Sequence, residues 1–448
     1  APADSTGIGD GSYTMGCAWG DYDNDGDPDL YLANYNEQPD RLFRNDGPDP
    51  RNADNWLFTD VAAEVGLADA ASGLGCAWGD FDNDGLLDLY VTNDGPNRLY
   101  HNVSVGVATG KLGRRPQDAG DNAAEKAAPT IQFVDIAPMY DVGLDDGLYG
   151  SGLGWADYDN DGDLDLYMGN HWNANGDPAP NRLFRNDGPD EGNAVGWLFS
   201  NAAPTHLGLN IADDSSTNGV AWCDYDGDGD LDLYMASMMG VTNKLFRNDV
   251  ADSTGNHWLQ LDLSSPYLNT CAIGARVRVV AGGLSMIRDV DGGSGFLSQG
   301  SLTVEFGLGA AAVADSVEIL WPDGYHHLML NVPGDQRLLV TQPETAVDDD
   351  GPAPAPLAFR VYDNFPNPFN PSTTIRLDLP APSRVRLGIY AVDGALVRTL
   401  FDEELPAGTH QAVWDGRDRK GGRVASGVYF YRVETSGDVV TRKMLLVK

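Results

Sequence analysis

Basic residues are scarce: 29 Lys and Arg stand against 67 Asp and Glu, a formal net charge of −38. A surface of that sign repels polyanions, so neither nucleic acid nor an anionic membrane surface is expected as a partner. No apolar run approaches the length of a membrane span, so no membrane span is expected either. The 4 cysteines are too few for a disulfide scaffold. Cys17 and Cys76 fall two residues before Trp19 and Trp78 in matching segments. A bridge between them and buried free thiols both remain open, because four cysteines allow three pairings. The 7 histidines form no HExxH pair, and no GxSxG elbow lies at a strand-to-helix turn. The expectation is therefore a protein that is not an enzyme. What is present is ample apolar material, 42% of the residues. The length suggests about three domains.

One eleven-residue pattern recurs four times: DYDNDGDPDLY from Asp21, DFDNDGLLDLY from Asp80, DYDNDGDLDLY from Asp157 and DYDGDGDLDLY from Asp224. Aspartates hold the first, third, fifth and ninth places. They are Asp21, Asp23, Asp25 and Asp29; Asp80, Asp82, Asp84 and Asp88; Asp157, Asp159, Asp161 and Asp165; and Asp224, Asp226, Asp228 and Asp232. Carboxylates this close repel one another unless a cation sits among them, and hard Ca²⁺ takes six to eight oxygens in a flexible shell. Glycine at the sixth place frees the backbone for the turn. The seventh place holds Asp27, Leu86, Asp163 and Asp230. Leucine can offer only its carbonyl, so all four are assigned as backbone ligands. Acidic hairpin turns kept for solubility are the alternative for one copy; four copies with the same fixed places argue for four Ca²⁺ sites. Loading them would bring the net charge from −38 to −30.

The loop is no EF-hand, which requires Glu at the twelfth place and flanking helices. Here the twelfth residues are Leu32, Val91, Met168 and Met235, inside alternating runs that read as strands. Each repeat adds a segment ending in Trp before the loop, an RLFRN-like segment after it, and a fourth segment beginning at Trp56, Ile131, Trp197 or Trp258. Four short strands per unit are the composition of a propeller blade. The Trp residues read as packing between blades. Residues 103–130 form an insertion between the third and fourth strands of the second unit, read as a surface excursion.

These residues resemble the FG-GAP/VCBS repeats of extracellular Ca²⁺-binding propellers. The fold class this implies is all-β: a small or incomplete propeller of four blades over residues 1–256. Residues 257–342 resemble the ASPIC/UnbV domain through Ala272–Val277 (AIGARV), Gly295–Ser298 (GFLS), Phe306–Gly309 (FGLG) and Val317–Gly324 (VEILWPDG), and a β-sandwich is expected there. Residues 343–356 read as a Pro- and Asp-rich linker. Residues 357–448 resemble the Ig-like C-terminal sorting domain of type IX secretion substrates, related to flagellar hook-capping proteins. The motifs run from Asn364 to Thr374, then Ile389-Tyr390, Asp393-Gly394, Trp414–Gly416, Ser426–Tyr431 and Arg442–Lys448.

The resemblance implies an extracellular or outer-surface location in a bacterium with an outer membrane. Chain start at Ala1 fits either an exported chain after processing or a trimmed one. The first function expected is a calcium-stabilised structural or adhesion protein that self-assembles into a filament or layer, with the C-terminal domain docking on another copy. Its partners would be copies of itself, surface glycans or matrix. The alternatives are lectin-like glycan binding around Tyr35 and His171-Trp172, and an enzyme acting on an extracellular polymer.

Overall fold

Small residues crowd the segments before the acidic loops, and the computed structural model shows what they make room for. It describes residues 6–9, 11–49, 52–105, 130–139, 144–145, 148–172, 177, 179–190, 197–202, 216–238, 240–249, 254–267, 269–343, 360–361, 373–379, 382–392, 394–405, 408–435 and 439–446. β1 (Thr14–Gly20), β2 (Asp29–Asn34), β3 (Arg41–Asp49) and β4 (Asn52–Asp60) form an antiparallel sheet in chain order. β5 (Gly73–Gly79), β6 (Asp88–Asn93), β7 (Arg98–Asn102) and β8 (Phe133–Asp135) form the next. β9 (Gly150–Ala156), β10 (Asp165–Asn170), β11 (Arg182–Pro189) and β12 (Trp197–Asn201) form the third. The fourth holds β13 (Thr217–Cys223), β14 (Asp232–Ser237) and β15 (Lys244–Phe246). The first strand of each sheet stands against the first strand of the next. A β-carbon added at Gly75 would lie 2.8 Å from the Ser151 carbonyl oxygen, and one at Gly152 would lie 2.6 Å from that of Asn218. Glycine inside a strand here marks close backbone approach.

The register between first and second strands is the same in every sheet: Ala18 opposite Tyr31, Ala77 opposite Tyr90, Gly154 opposite Tyr167 and Ala221 opposite Tyr234. The acidic loop therefore closes each pair at the same end.

Three contacts lock each blade to the next, and all recur. Trp78 stacks on Tyr22 and meets Tyr31 edge-on, while Trp155 and Trp222 meet Tyr90 and Tyr167 edge-on. Burial of such a ring contributes about 2 kcal/mol, with about 1 more from edge-to-face geometry. The indole N–H groups of Trp78, Trp155 and Trp222 donate to the carbonyls of Ala18, Ala77 and Gly154 in the preceding blade at 3.2–3.4 Å. The amides of Asn102, Asn186 and Asn248 donate back to the carbonyls of Tyr22, Phe81 and Tyr158. The indoles do pack between blades, as their spacing suggests, and each also carries a polar latch.

The segment from Trp258, which continues the repeat pattern and opens the domain expected over residues 257–342, belongs to that domain alone. β16 (His257–Ser264) begins a second domain with β17 (Arg276–Ala281), β18 (Leu284–Asp289), β19 (Val304–Gly309), β20 (Val313–Leu320), β21 (His326–Pro333) and β22 (Gln336–Thr341). It pairs antiparallel with β19 and parallel with β22. The sheets β19-β16-β22 and β18-β17-β20-β21 enclose a core that includes Leu259, Leu261, Val277, Phe306, Ile319 and Trp321. Alternation could not reveal this, because WLQLDL alternates as a blade strand does and its partners lie up to about eighty residues further on.

The second domain also enters the hollow between the blades. Gly295 N–H donates to the Cys76 carbonyl of β5 at 2.7 Å, and Ser301 N–H to the Trp222 carbonyl of β13 at 3.0 Å. A cavity of about 180 Å³ beside this loop is walled by Trp19, Trp78, Trp155 and Trp222 together with Arg288 and Glu305. Residues 6–9 stay with the first blade, where Gly7 abuts the Phe58 carbonyl. The described residues before Met15 thus do not complete the fourth sheet. All four cysteines carry free thiols.

The chain divides into two compact units, Ala1–Pro343 and Glu344–Lys448. The second has one sheet of Arg360–Val361, Thr373–Leu379 and Gly408–Trp414, and another of Leu396–Leu405, Ser383–Ala391, Gly427–Glu434 and Val439–Leu446. Ile375, Leu387, Ile389, Trp414, Tyr431 and Met444 fill the space between them. Most of the insertion (106–129), most of the linker (344–356), residues 362–372 of the Asn364 motif and the terminal 447–448 lie outside the described residues.

Candidate metal centres

Every acidic loop is wound by its own carboxylates. The first aspartate accepts from the backbone N–H of the sixth-place glycine: Asp21 from Gly26, Asp80 from Gly85, Asp157 from Gly162 and Asp224 from Gly229, at 3.0–3.1 Å. These glycines have φ between 87° and 104°, where a side chain would be strained. The fifth aspartate accepts from the seventh N–H in all four loops: Asp25 from Asp27, Asp84 from Leu86, Asp161 from Asp163 and Asp228 from Asp230. The ninth anchors the loop to the third strand, Asp29 accepting from Asn45 N–H, Asp88 from Asn102, Asp165 from Asn186 and Asp232 from Asn248.

This winding gathers three carboxylates at one point in each loop. Oxygens of Asp21, Asp23 and Asp29 lie within 4.8 Å of one another, as do those of Asp80, Asp82 and Asp88, of Asp157, Asp159 and Asp165, and of Asp224, Asp226 and Asp232. The first, third and ninth places thus converge. The fifth place is outside these trios; Asp84 instead groups with Asp82 and His101, whose Nε2 is 2.9 Å from Asp82 Oδ2. At the seventh place, Asp163 and Asp230 turn their carboxylates to the side-chain amides of Asn83 and Asn160 in the preceding blade. That leaves the seventh carbonyl, rather than the carboxylate, for a role inside the loop.

The residues fit a hard cation. Asp29 Oδ2, Asp157 Oδ1 and Asp159 Oδ1 are buried without a hydrogen-bond partner. Buried carboxylate oxygens of this kind are costly unless a charge faces them. Burial, followed by the charges of neighbouring aspartates, pushes Asp159 up to about 7 and Asp23 to about 6. Asp29, Asp80, Asp88, Asp157 and Asp165 are also raised well above the usual carboxylate range, for the same reasons. The fourth loop is more open: Arg247 reaches Asp226 and Asp228 at 3.0 Å from solvent.

The second domain rests directly on these loops, which the sequence did not disclose. Arg276, buried and paired with Asp289 at 2.7 Å, donates to the Asp21 carbonyl and the Asn24 side chain and lies 3.6 Å from Asp21 Oδ2. Gly307 N–H donates to Asp157 Oδ2 at 2.8 Å, and Gln260 Nε2 to Asp224 Oδ2 at 2.8 Å. Arg288, held over the Phe306 ring, adds positive charge near Asp157 and Asp80. The available signals were an Arg inside the apolar run of β17 and glycines inside β19.

At the opposite end of the blades, residues flanking the first two strands form an aromatic ridge. Tyr13 and Tyr35 lie 6.2 Å apart, Tyr35 donates to Asp94, burial and then the neighbouring Tyr35 raise the Tyr149 phenol, and Tyr149 packs 5.1 Å from Trp172, which meets His171 at 5.0 Å. Tyr35 and His171-Trp172 are thus brought together across three blades.

Known proteins share these parts. Residues 21–91, 80–168 and 157–235 match the FG-GAP-like repeat, residues 266–347 match ASPIC and UnbV, and residues 368–438 match the FlgD Ig-like domain. Cartilage acidic protein 1 of Mus musculus is 32% identical over 301 residues, covering 66% of this chain and 40% of that protein. The Xenopus tropicalis protein of that name is 30% identical over 326 residues, with 71% and 43% covered. The chain spans about two fifths of the length of these relatives. A solved structure of PorZ, an essential bacterial surface component of the type IX secretion system of Porphyromonas gingivalis, aligns over 94% of this chain and 58% of its own. At 11% identity and a TM-score of 0.21 it carries no structural argument. No helix among the described residues is long and apolar enough to cross a membrane. The chain thus carries FG-GAP-like repeats, an ASPIC and UnbV domain and a FlgD Ig-like domain, in that order.

Proposed function

We propose that the chain is a non-enzymatic structural or adhesion protein of the cell surface or medium, stabilised by Ca²⁺ in its four acidic loops and able to associate with itself. The observation that carries this reading is the convergence of three carboxylates in each loop, with orphaned buried oxygens among those of the first and third. Ca²⁺ suits oxygen-only donor sets, and the millimolar level outside cells suits weak sites. The ligands would be the first-, third- and ninth-place carboxylates with the seventh carbonyl and the free oxygen of the fifth aspartate, whose other oxygen braces the loop. Metal analysis of the purified chain after exchange into Ca²⁺ tests this: four ions per chain are expected, and none would remove the reading.

The loops should not fill equally. Arg247 competes electrostatically at the fourth, whereas the third is the most enclosed. Stepwise titration should fill the third loop first and the fourth last, and Arg247→Ala should tighten the last step alone. Surface delivery is ascribed to residues 357–448; deleting them should hold the protein within the cell envelope with its Ca²⁺ content unchanged. Normal delivery of the truncated chain would sink that role.

A second reading rests on the aromatic ridge. The exposed Tyr13 ring and the half-buried Tyr35, Tyr149 and Trp172 rings, beside Asp94, suit the C–H faces and hydroxyls of sugars. Affinity electrophoresis in neutral polysaccharides should show retardation that Trp172→Ala and Tyr35→Ala remove without altering melting. Equal migration of all three proteins would dismiss it.

A further inference from the structure

The second acidic loop departs from the other three, and its departures lie together. In the first, third and fourth blades the RLFRN-like segment holds an arginine followed two places later by an aspartate: Arg44 and Asp46, Arg185 and Asp187, Arg247 and Asp249. Each arginine meets its own aspartate, at 2.8, 2.6 and 2.8 Å. The second blade has His101 and Val103 at these two places. With no carboxylate two places on, the imidazole faces the loop, its Nε2 lying 2.9 Å from Asp82 Oδ2. The seventh place changes as well, since Leu86 stands where the other loops have aspartate. The second loop thus has one carboxylate fewer and one ring nitrogen more.

Taking the acidic loops as cation sites, as in the proposed function, we propose that the second takes a borderline divalent ion of the Zn²⁺ class in preference to Ca²⁺. His101 Nε2 and one oxygen each of Asp82 and Asp84 hold it. These three residues offer donor atoms within 4.8 Å of one another, and among the described residues this is the one such group with a nitrogen donor. Imidazole suits Zn²⁺ and similar ions, whereas Ca²⁺ takes oxygen. Donors bonded at about 2.1 Å to one tetrahedral ion stand about 3.4 Å apart, between the 2.9 Å of the imidazole–carboxylate pair and the 4.8 Å limit of the group. An ion between them takes the place of a proton on Nε2, and the ring then carries its proton on Nδ1.

The surroundings hold the donors and leave a way in. The Phe81 ring lies 5.4 Å from the imidazole and itself packs against Trp197 and Phe199, which steadies the ring plane. Asp82 Oδ1 accepts from Asp84 N–H at 3.2 Å, and Asp84 Oδ1 accepts from Leu86 N–H at 2.8 Å. One oxygen of each carboxylate is thereby oriented and the other is left for an ion. The His101 and Asp82 side chains are largely buried, while Asp84 is exposed and opens the site to solvent. Asp82 also belongs to the inner trio with Asp80 and Asp88, so Zn²⁺ and Ca²⁺ compete for one place.

The test uses the full chain, stripped with chelator and equilibrated with millimolar Ca²⁺, alone or with micromolar Zn²⁺ added, both metals being counted after gel filtration. Wild type should hold four Ca²⁺ in the first buffer, and three Ca²⁺ with one Zn²⁺ in the second. His101→Arg combined with Val103→Asp installs the pair that the other blades use. That variant should keep four Ca²⁺ in both buffers, with Zn²⁺ weakened at least about tenfold. X-ray absorption of Zn²⁺-loaded wild type reads the site without any variant, and one imidazole in an otherwise oxygen shell is expected. An oxygen-only shell, no retained Zn²⁺, or Zn²⁺ retained equally by the variant would overturn the site and leave His101 as a hydrogen-bond partner of Asp82. Four Ca²⁺ persisting beside Zn²⁺ would overturn it as well. Zn²⁺ bound at His101 with no Ca²⁺ at any loop would remove the calcium reading and leave this site standing, and four Ca²⁺ with no Zn²⁺ would do the reverse.

Discussion

Chelation of divalent cations is expected to lower the melting temperature of the first unit by about 15 °C, if each of four sites contributes about 2.7 kcal/mol at a hundredfold excess of ion over Kd. The shift follows from spreading that free energy over the unfolding entropy of a unit of residues 1–343. Metal-free protein should also show an inverted pH dependence. Burial, opposed in part by Arg276, pushes Asp21 up to about 7, and burial with the charge of Asp161 does the same for Asp163. Burial with the charge of Asp82 brings Asp84 to about 6. A carboxyl raised in the folded state binds a proton that the unfolded chain, near pKa 4, releases. Its stabilising effect is complete below about pH 4 and is lost as pH rises through 6 to 7. In chelator, melting should therefore rise as pH falls from 7.5 to 5.5. In Ca²⁺ it should fall over the same interval, because protons then displace the ion. Differential scanning calorimetry at both pH values decides, and identical curves with and without chelator would remove the metal from the fold's stability.

The acidic loops were legible because the aspartates that converge stand at fixed offsets within eleven residues, and the loop needs no distant partner to wind. Strand identity was legible for the same local reason. What stayed hidden depends on neighbours far along the chain. The sandwich from residue 257 was expected, but not that β16 pairs antiparallel with β19 and parallel with β22, strands up to about eighty residues further on. Trp19 and Trp222 occupy equivalent places in sequence, yet Trp222 is buried by Tyr167 of the blade before it while Trp19 is half exposed. The fifth aspartate looked like a ligand by periodicity; one of its oxygens also braces the turn, since it accepts from the seventh N–H. Arg276 and Gly307 had no local pattern that pointed to a loop more than a hundred residues away.

Gly307→Ala is expected to damage the first unit severely for so small a change. Gly307 sits in β19 facing the third loop, where a methyl group would overlap Asp157 Oδ2 and the backbone of Asn160. Either β19 or the loop must move. Moving β19 breaks the N–H donated from Gly307 to Asp157 and the one from Gly309 to the Asn160 carbonyl, 2.8 and 3.0 Å long. A hydrogen bond to a charged acceptor contributes about 1.5–3 kcal/mol, and overpacking adds about 1–3 kcal/mol, so a loss of about 3 kcal/mol or more is expected. Moving the loop instead spreads the first, third and ninth carboxylates, and one Ca²⁺ should then be lost. Gly300→Ala is the control, because its nearest neighbour, the Trp222 carbonyl, would lie at an ordinary 3.6 Å. Melting and ion content of the two variants separate the outcomes. A Gly307→Ala protein that melts with wild type and keeps every ion would mean that the second domain does not lean on the third loop. A protein that loses stability and one ion together would show that docking of the second domain and cation binding by the repeats are one linked equilibrium. The linkage would arise because the carboxylate that Gly307 holds by one oxygen, Asp157, is the one whose other oxygen is left for the cation.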